Sequence, residues 1–557
     1  MLISLSLIYL HRKKMLNIKN TVLFTLFAAN LIDQPTPPVK IDQRLVTGKI
    51  SADGKLHEYT GIPYATIGGR FQAPLPGPSW NGEYKAVHDH YQCPQSMEIG
   101  QIGTEDCLRV NVYTPSQIKK PLPVMVYIHG GAFMLGSGGK MTAGPDFLVK
   151  HDVILVTFNY RLGALGFLCL GIEEAPGNAG FKDQIAALRW IKKNIAAFGG
   201  DPDNMTIFGH SAGSVSTSVL VMTNATNGLF NRAIAQSGAS VAFMTSIDGI
   251  KVASAIAKRL GYNSKDPKEL YNFLSNTPIK DLVTYATPSA DPILQLVRSD
   301  LMTGPCVEKD IPGVEAVYTE LPYDIISKNP KNVSIMHGFT DREGFYLVAL
   351  EDEETLKDYN RELYQFPDFE FASKLEAETV AKKVKDFYFG EKEVNKDSIN
   401  SLEKLYGDTF FDIPIALETE MLVNRIEAPI YNYYFTYSGG RNLVKEMFSK
   451  NKNEPGASHG DDILYTFSSF IWPYKVKERD QKIIDWMTKM WTNFAKYGDP
   501  TPPFDKDLPI KWTPSTKQRL NFLKIDEQLE IVSTPNPDRY EFWKDLYRRY
   551  RKKINKN

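Results

Sequence analysis

Gly209-His210-Ser211-Ala212-Gly213 follows the apolar run Thr206-Ile-Phe and leads into helix-compatible sequence. A serine with glycine two residues away on each side marks a strand-to-helix turn too sharp for side chains at the flanking positions. The strain of such a turn lifts the serine hydroxyl above the strand ends. In a chain with 39 glycines the pattern alone is weak. What strengthens it is the presence of the partners a serine nucleophile needs. A hydroxyl is a poor nucleophile near neutral pH, so Ser211 calls for a histidine base, an acid to orient that histidine, and main-chain donors for the developing oxyanion.

With a turn of this kind the partners follow in the order acid, then histidine. Of nine histidines, His337 and His459 alone lie beyond Ser211. Asp248 and Asp291 precede His337, so order does not exclude it, but His337 ends a strand-like run that begins at Asn332. His459 is the better base: Pro455-Gly-Ala-Ser-His459-Gly is a glycine-flanked loop, able to project an imidazole from a rigid scaffold. Between them the acid candidate is Glu343, abutting Gly344 in Gly338-Phe-Thr-Asp-Arg-Glu343-Gly344, with Asp341 as the competitor two residues earlier. Taken singly, either is a solvated loop side chain. Upstream, the buried-looking run Pro123-Val-Met-Val-Tyr-Ile ends in His129-Gly130-Gly131-Ala132-Phe133. The N–H groups of Gly131, Ala132 and Ala212 form the expected oxyanion set, each donor contributing about 3 kcal/mol to the transition state.

These residues need a scaffold that carries distant segments to one place. Apolar runs at 123–128, 153–158 and 429–435 read as strands, and 481–497 as a late helix. Ile185, Leu188, Ile191, Ile195 and Phe198 recur at spacings of three and four, one apolar helix face that Gly199 and Gly200 terminate. Alternation of this sort predicts an α/β protein with a mostly parallel sheet flanked by helices.

The chemical stretches, together with Gly61-Ile-Pro-Tyr-Ala65, Arg70-Phe71, Glu105-Asp-Cys-Leu108, Asn159-Tyr-Arg-Leu-Gly163, Pro176-Gly-Asn-Ala-Gly180, Phe198-Gly-Gly-Asp-Pro202 and Gln236-Ser237-Gly238, resemble the type-B carboxylesterase family, which also holds the cholinesterases. The likeness covers nearly the whole chain. Within the family it is closest to insect α-esterases and lepidopteran carboxylesterases. It implies an α/β-hydrolase fold and a Ser211–Glu343–His459 triad that hydrolyses carboxylic esters through an acyl-enzyme. It also implies that Ser237 supports the acid and that Cys93 and Cys107 form a disulfide. The bland reading of Ser237 is a strand-end serine bonded to backbone. Cys169, within Phe167-Leu-Cys-Leu170, reads as a buried free thiol.

Departures from the family pattern bear on substrate. Ala132 stands where many relatives carry a third glycine, which narrows the acyl side and adds strain if φ is positive there. The 93–107 loop has no aromatic residue to receive a quaternary ammonium, which argues against a cholinesterase. His210 argues against a juvenile hormone esterase, which usually resembles Gly-Gln-Ser-Ala-Gly. The family also includes non-catalytic binding and adhesion proteins, but those usually lack the serine or histidine retained here.

With 43% hydrophobic residues the chain can bury a large core, and no linker or repeat divides residues 33–557, which read as one domain. Lys and Arg number 65 against 65 Asp and Glu, so nothing directs the protein to nucleic acid. The partner expected is a small ester; no metal or cofactor is called for. Gly136-Ser-Gly-Gly-Lys140 is not a phosphate loop, because Met134 and Met141 occupy positions that need glycine and a hydroxyl. Residues 1–32 combine a basic start with a short apolar core, a signal segment too short to span a bilayer, so secretion is favoured over a cytoplasmic or microsomal location. Asn204, Asn224 and Asn332 open glycosylation sequons, the first and last at expected strand starts.

Overall fold

The computed structural model describes residues 34–97, 100–286, 303–328, 330–361, 369–448, 454–469 and 476–553. The expected signal segment and Asp291 lie outside the described residues. The chain builds a 12-stranded sheet. Its strands are β1 (Gln34–Pro35), β2 (Lys49–Ile50), β3 (Leu56–Pro63), β4 (Arg109–Pro115), β5 (Leu122–Ile128), β6 (Ile154–Phe158), β7 (Gly200–His210), β8 (Arg232–Gln236), β9 (Ser334–Thr340), β10 (Ile430–Phe435), β11 (Phe522–Ile525) and β12 (Leu529–Val532). In space the order is β1-β2-β3-β4-β6-β5-β7-β8-β9-β10-β11-β12. From β6 to β11 every neighbouring pair is parallel. The antiparallel pairings are confined to the two edges.

The central strands are apolar throughout because both faces are covered. On β5, Val124, Val126 and Ile128 face the same core as Ile185, Leu188 and Ile191 of helix α1 (Ala179–Asn194). Met125 and Tyr127 face the opposite core, which collects residues of the long late helix Glu478–Tyr497: Ile483, Met487, Met490, Trp491 and Phe494. Each such side chain, fully buried, contributes roughly 1.5–3 kcal/mol. The α1 stripe passes into a 3₁₀ turn over Ile195–Phe198 and ends at Gly199, whose φ of 84° is the left-handed conformation expected of a glycine stop. The late helix begins at Glu478, three residues before the apolar periodicity becomes visible at Gln481. Asn204 lies inside β7 rather than at its start, and its Oδ1 accepts from Arg232 Nη1 at 2.6 Å. Asn332 precedes β9, and its Oδ1 accepts from Glu427 and Ala428 main-chain N–H.

Two pieces of the sequence pattern meet in a buried ion pair. Arg161 donates Nε and Nη2 to the Asp183 carboxylate at 2.7 and 2.6 Å, and its main-chain N–H reaches the same carboxylate at 3.0 Å. Other guanidinium hydrogens go to the carbonyls of Arg70 and Gln72 at 3.0 and 2.7 Å, with longer contacts to Gly69 O and Ala179 O at 3.4 Å. One arginine thereby ties the loop after β6, helix α1 and the segment around Arg70. Burial pushes the Asp183 carboxyl upward, and the guanidinium opposes that push. Replacing Asp183 with alanine leaves a buried cation unpaired, so Asp183→Ala is expected to destabilise the fold by about 3–5 kcal/mol. A marked fall in the thermal unfolding midpoint at fixed scan rate checks this; an unchanged midpoint refutes it.

Cysteine usage differs from expectation at one point. Cys93–Cys107 is a disulfide, and Cys169 is not a free thiol: it is bonded to Cys306, across a sequence separation of 137. The apolar run around Cys169 reports its burial but not the distant segment that folding brings against it. Gly177 shows how close that approach is, since a Cβ there would lie 2.7 Å from both sulfurs.

Candidate active site

The residues singled out for chemistry sit at the carboxyl ends of adjacent parallel strands, where open α/β sheets place their ligand sites. β5 ends at Ile128 and runs into His129–Phe133; β7 ends at His210, directly before Ser211. β8 ends at Gln236, before Ser237, and β9 at Thr340, three residues before Glu343. His459 lies on the loop beyond β10.

Ser211 has φ 59° and ψ −125°, and the next residue starts helix α2 (Ala212–Met222). Its N–H donates to Gln236 O at 2.8 Å and its carbonyl accepts from Val215 N at 2.9 Å, so the strained backbone, which costs about 1–3 kcal/mol, is held from both sides. The flanking glycines are steric necessities. A Cβ at Gly209 would lie 2.3 Å from Gly213 O, and one at Gly213 would lie 2.0 Å from Ile128 O.

His459 and Glu343 are joined directly, Nδ1 to Oε2 at 2.6 Å. Glu343 is 1% exposed. Its other oxygen accepts from Ser237 Oγ at 2.6 Å and from Thr340 N at 2.7 Å. Ser237 itself has φ 59°, a second strained residue at a strand end. Asp341 faces elsewhere: its Oδ1 accepts from Ala457 N at 2.7 Å, and burial pushes its carboxyl up to about 7. His337 is buried in β9 with Nε2 2.9 Å from Gly238 O. No hydrogen bond joins the Ser211 hydroxyl to the imidazole among the described residues; such contacts often tighten only when substrate binds.

The ring of His459 is packed by three others that sequence reading did not associate with it. Phe411, Tyr346 and His210 have centroids 4.4, 5.0 and 4.5 Å from it, Tyr346 stacked nearly parallel. Phe411 comes from a π-helical turn, Asp408–Asp412, that leads into helix α3 (Ile413–Val423). Burial, with the His459 ring beside it, holds His210 well below the usual histidine range, so His210 is a neutral neighbour. The loop carrying His459 is pinned by acids. Asp461 accepts from Ser458 N and Val444 N at 2.7 and 2.8 Å, and Asp462 from Gln236 Nε2 and Tyr433 Oη, both at 3.0 Å. Burial raises them to about 7 and about 6. Only their adjacency to His459 could have flagged them.

Across from this pair, Gly131, Ala132 and Phe133 have φ values of 115°, 53° and 60°. The condition raised for Ala132 is met, and its methyl sits in a left-handed conformation costing roughly 1–2 kcal/mol. Phe133 anchors the loop, packing on Phe167 and Phe181 at 4.8 and 5.8 Å. Among the described residues, no protein acceptor takes the N–H of Gly131, Ala132 or Ala212. His129, stacked on Tyr160 at 4.4 Å, is lowered to about 4 by burial and is neutral. No cluster among the described residues could hold a metal ion, and none of their helices is long and apolar enough to cross a membrane.

A parallel sheet with a strained serine turn at the end of a central strand defines an α/β-hydrolase. The carboxylesterase family model matches residues 35–543, and the chain belongs to that family. It is a carboxylic-ester hydrolase. It is 32% identical to Esterase FE4 of Myzus persicae over 525 residues, 88% of this chain and 90% of the relative. To juvenile hormone esterase of Tribolium castaneum it is 33% identical over 482 residues, 80% of each. Among solved structures it is similar to juvenile hormone esterase from Manduca sexta with OTFP covalently attached, at TM-score 0.81 and 27% identity, covering 92% of this chain and 99% of that one.

Proposed function

We propose that the chain hydrolyses small, largely apolar esters of xenobiotic, dietary or odorant type through an acyl-enzyme on Ser211, and that residues 33–557 act as one domain. His459 takes the Ser211 proton as the hydroxyl attacks the ester carbonyl, and Glu343 holds the imidazole tautomer and stabilises the imidazolium. The N–H groups of Gly131, Ala132 and Ala212 receive the oxyanion. His459 then protonates the leaving alcohol, and water activated by the same imidazole releases the acid. The observation that carries the reading is the 2.6 Å Glu343–His459 bond beside a serine held at φ 59°. Secretion belongs to the proposal: two disulfides suit an oxidising compartment, and the sequon asparagine Asn224 is exposed.

A fluorophosphonate probe tests the reading. The folded protein is expected to be labelled stoichiometrically, with the adduct mapped by peptide mass to Ser211. A folded protein that stays unlabelled, or is labelled elsewhere, sinks it.

A further inference from the structure

We propose that Gln95 is a positioning residue for the oxyanion loop and that the Cys93–Cys107 disulfide acts on ester hydrolysis through it; this rests on the function proposed above. Gln95 is 4% exposed and lies in the short ribbon closed by that disulfide. Its amide is fully used. Nε2 donates to Cys93 O and to Gly136 O, both at 3.0 Å, and Oε1 accepts from Gly136 N at 2.9 Å. One side chain therefore grips both main-chain groups of Gly136 and ties them to the half-cystine itself.

Gly136 is where the oxyanion loop folds back on its own start. It has φ 115°, and a Cβ there would lie 2.5 Å from His129 Nδ1 and 2.6 Å from Gly130 O. The intervening residues form a tight turn, with Met134 N and Leu135 N both donating to Gly131 O. Gly136 thus lies too close to His129 and Gly130 for even a methyl group to fit between them, and a shift there is passed to Gly131 through the turn. The next anchor, Asn159 Oδ1 accepting from Gly138 N at 2.8 Å, fixes the chain only beyond this point. Gln95 touches none of the reacting groups; its effect is to hold the N–H groups of Gly131 and Ala132 in place. Misplacing such donors by a fraction of an ångström to an ångström costs about 10- to 100-fold in rate.

The test compares wild type, Gln95→Met, Gln95→Glu, the paired Cys93→Ser/Cys107→Ser variant and its combination with Gln95→Met. Activity is measured on p-nitrophenyl acetate, corrected for active sites titrated with fluorophosphonate. Gln95→Met is expected to lower kcat about 30-fold with KM within about twofold, and to weaken a trifluoromethyl ketone inhibitor, which needs the same donors, by a similar factor. The disulfide-free variant is expected to fall in the same direction, and adding Gln95→Met to it to lower kcat by less than about threefold more, as coupled residues do. Gln95→Glu supplies a readout that general destabilisation would not move. Its carboxylate opposes Gly136 O, but its protonated form can donate there as the amide does. Its kcat relative to wild type is therefore expected to rise as pH falls. Equal kcat in Gln95→Met and wild type, kcat and inhibitor affinity that do not move together, or a pH-independent Gln95→Glu ratio overturns the role of Gln95. A wild type that neither turns over ester nor takes the fluorophosphonate overturns the functional reading instead.

Discussion

Ser211→Ala is expected to lower kcat by about 10⁵-fold or more, close to 7 kcal/mol of transition-state stabilisation, while leaving the fold intact. The two halves of that expectation come from different bonds. The backbone at residue 211 is held by Gln236 O and Val215 N, neither of which involves the side chain. An alanine pays the same price in positive φ as the serine does. The hydroxyl has no hydrogen-bond partner among the described residues, so its removal orphans nothing. What is lost is the nucleophile. A residual rate persists, because His459 and the N–H groups of Gly131, Ala132 and Ala212 can still act on a water that attacks directly. Steady-state turnover of p-nitrophenyl acetate and the thermal midpoint, measured on one preparation, check both halves. A variant that keeps more than about a hundredth of wild-type kcat, in protein free of wild-type contamination, removes Ser211 from the mechanism.

The parts of this site that were readable in the sequence are those whose residues fall at fixed, short offsets along the chain. Gly209 and Gly213 are required by contacts with the turn and the adjoining strand end, so the pattern around Ser211 is visible without knowing the fold. Strands β5, β6 and β10 announce themselves as apolar runs because both sheet faces are covered, and α1 through its 3.6-residue stripe. In the sequence, the adjacent Gly344 and the family likeness favour Glu343 over Asp341. In space the two carboxyls differ because residue 343 lies where it can take Ser237 Oγ, Thr340 N and the imidazole, whereas Asp341 binds the chain at Ala457. Long-range contacts left no trace. Nothing in Asp408–Asp412 hints that a π-helical turn swings Phe411 against His459, and nothing near Cys169 points to Cys306. Gln95 is one glutamine among many until the disulfide-closed ribbon brings its amide to Gly136.

Glu343→Gln is expected to lower kcat by about 10³- to 10⁴-fold although it changes hardly any volume, and the reason lies in which way the new amide must point. Oε1 of Glu343 receives two donors, the Ser237 hydroxyl and the Thr340 main-chain N–H. The hydroxyl can turn to accept instead; the N–H cannot. Placing the glutamine NH₂ at that position would set two donors face to face and leave a buried N–H unsatisfied, at a cost of about 1–3 kcal/mol. The amide oxygen therefore takes the Oε1 position, and the NH₂ faces His459 Nδ1. An NH₂ can only donate, so Nδ1 must be unprotonated and the imidazole proton moves to Nε2, the nitrogen meant to receive the Ser211 proton. The base is blocked by its own hydrogen, and the imidazolium loses its counter-charge as well. Fluorophosphonate labelling should slow in proportion to kcat, since both depend on an activated hydroxyl, while KM stays within a few-fold. Removing the competing donor sharpens the test. In Ser237→Ala with Glu343→Gln the Thr340 N–H still demands an oxygen, so the tautomer stays wrong and kcat should fall little further. Recovery of activity in that double variant would show that the Ser237 hydroxyl, and not the Thr340 N–H, fixes the amide orientation.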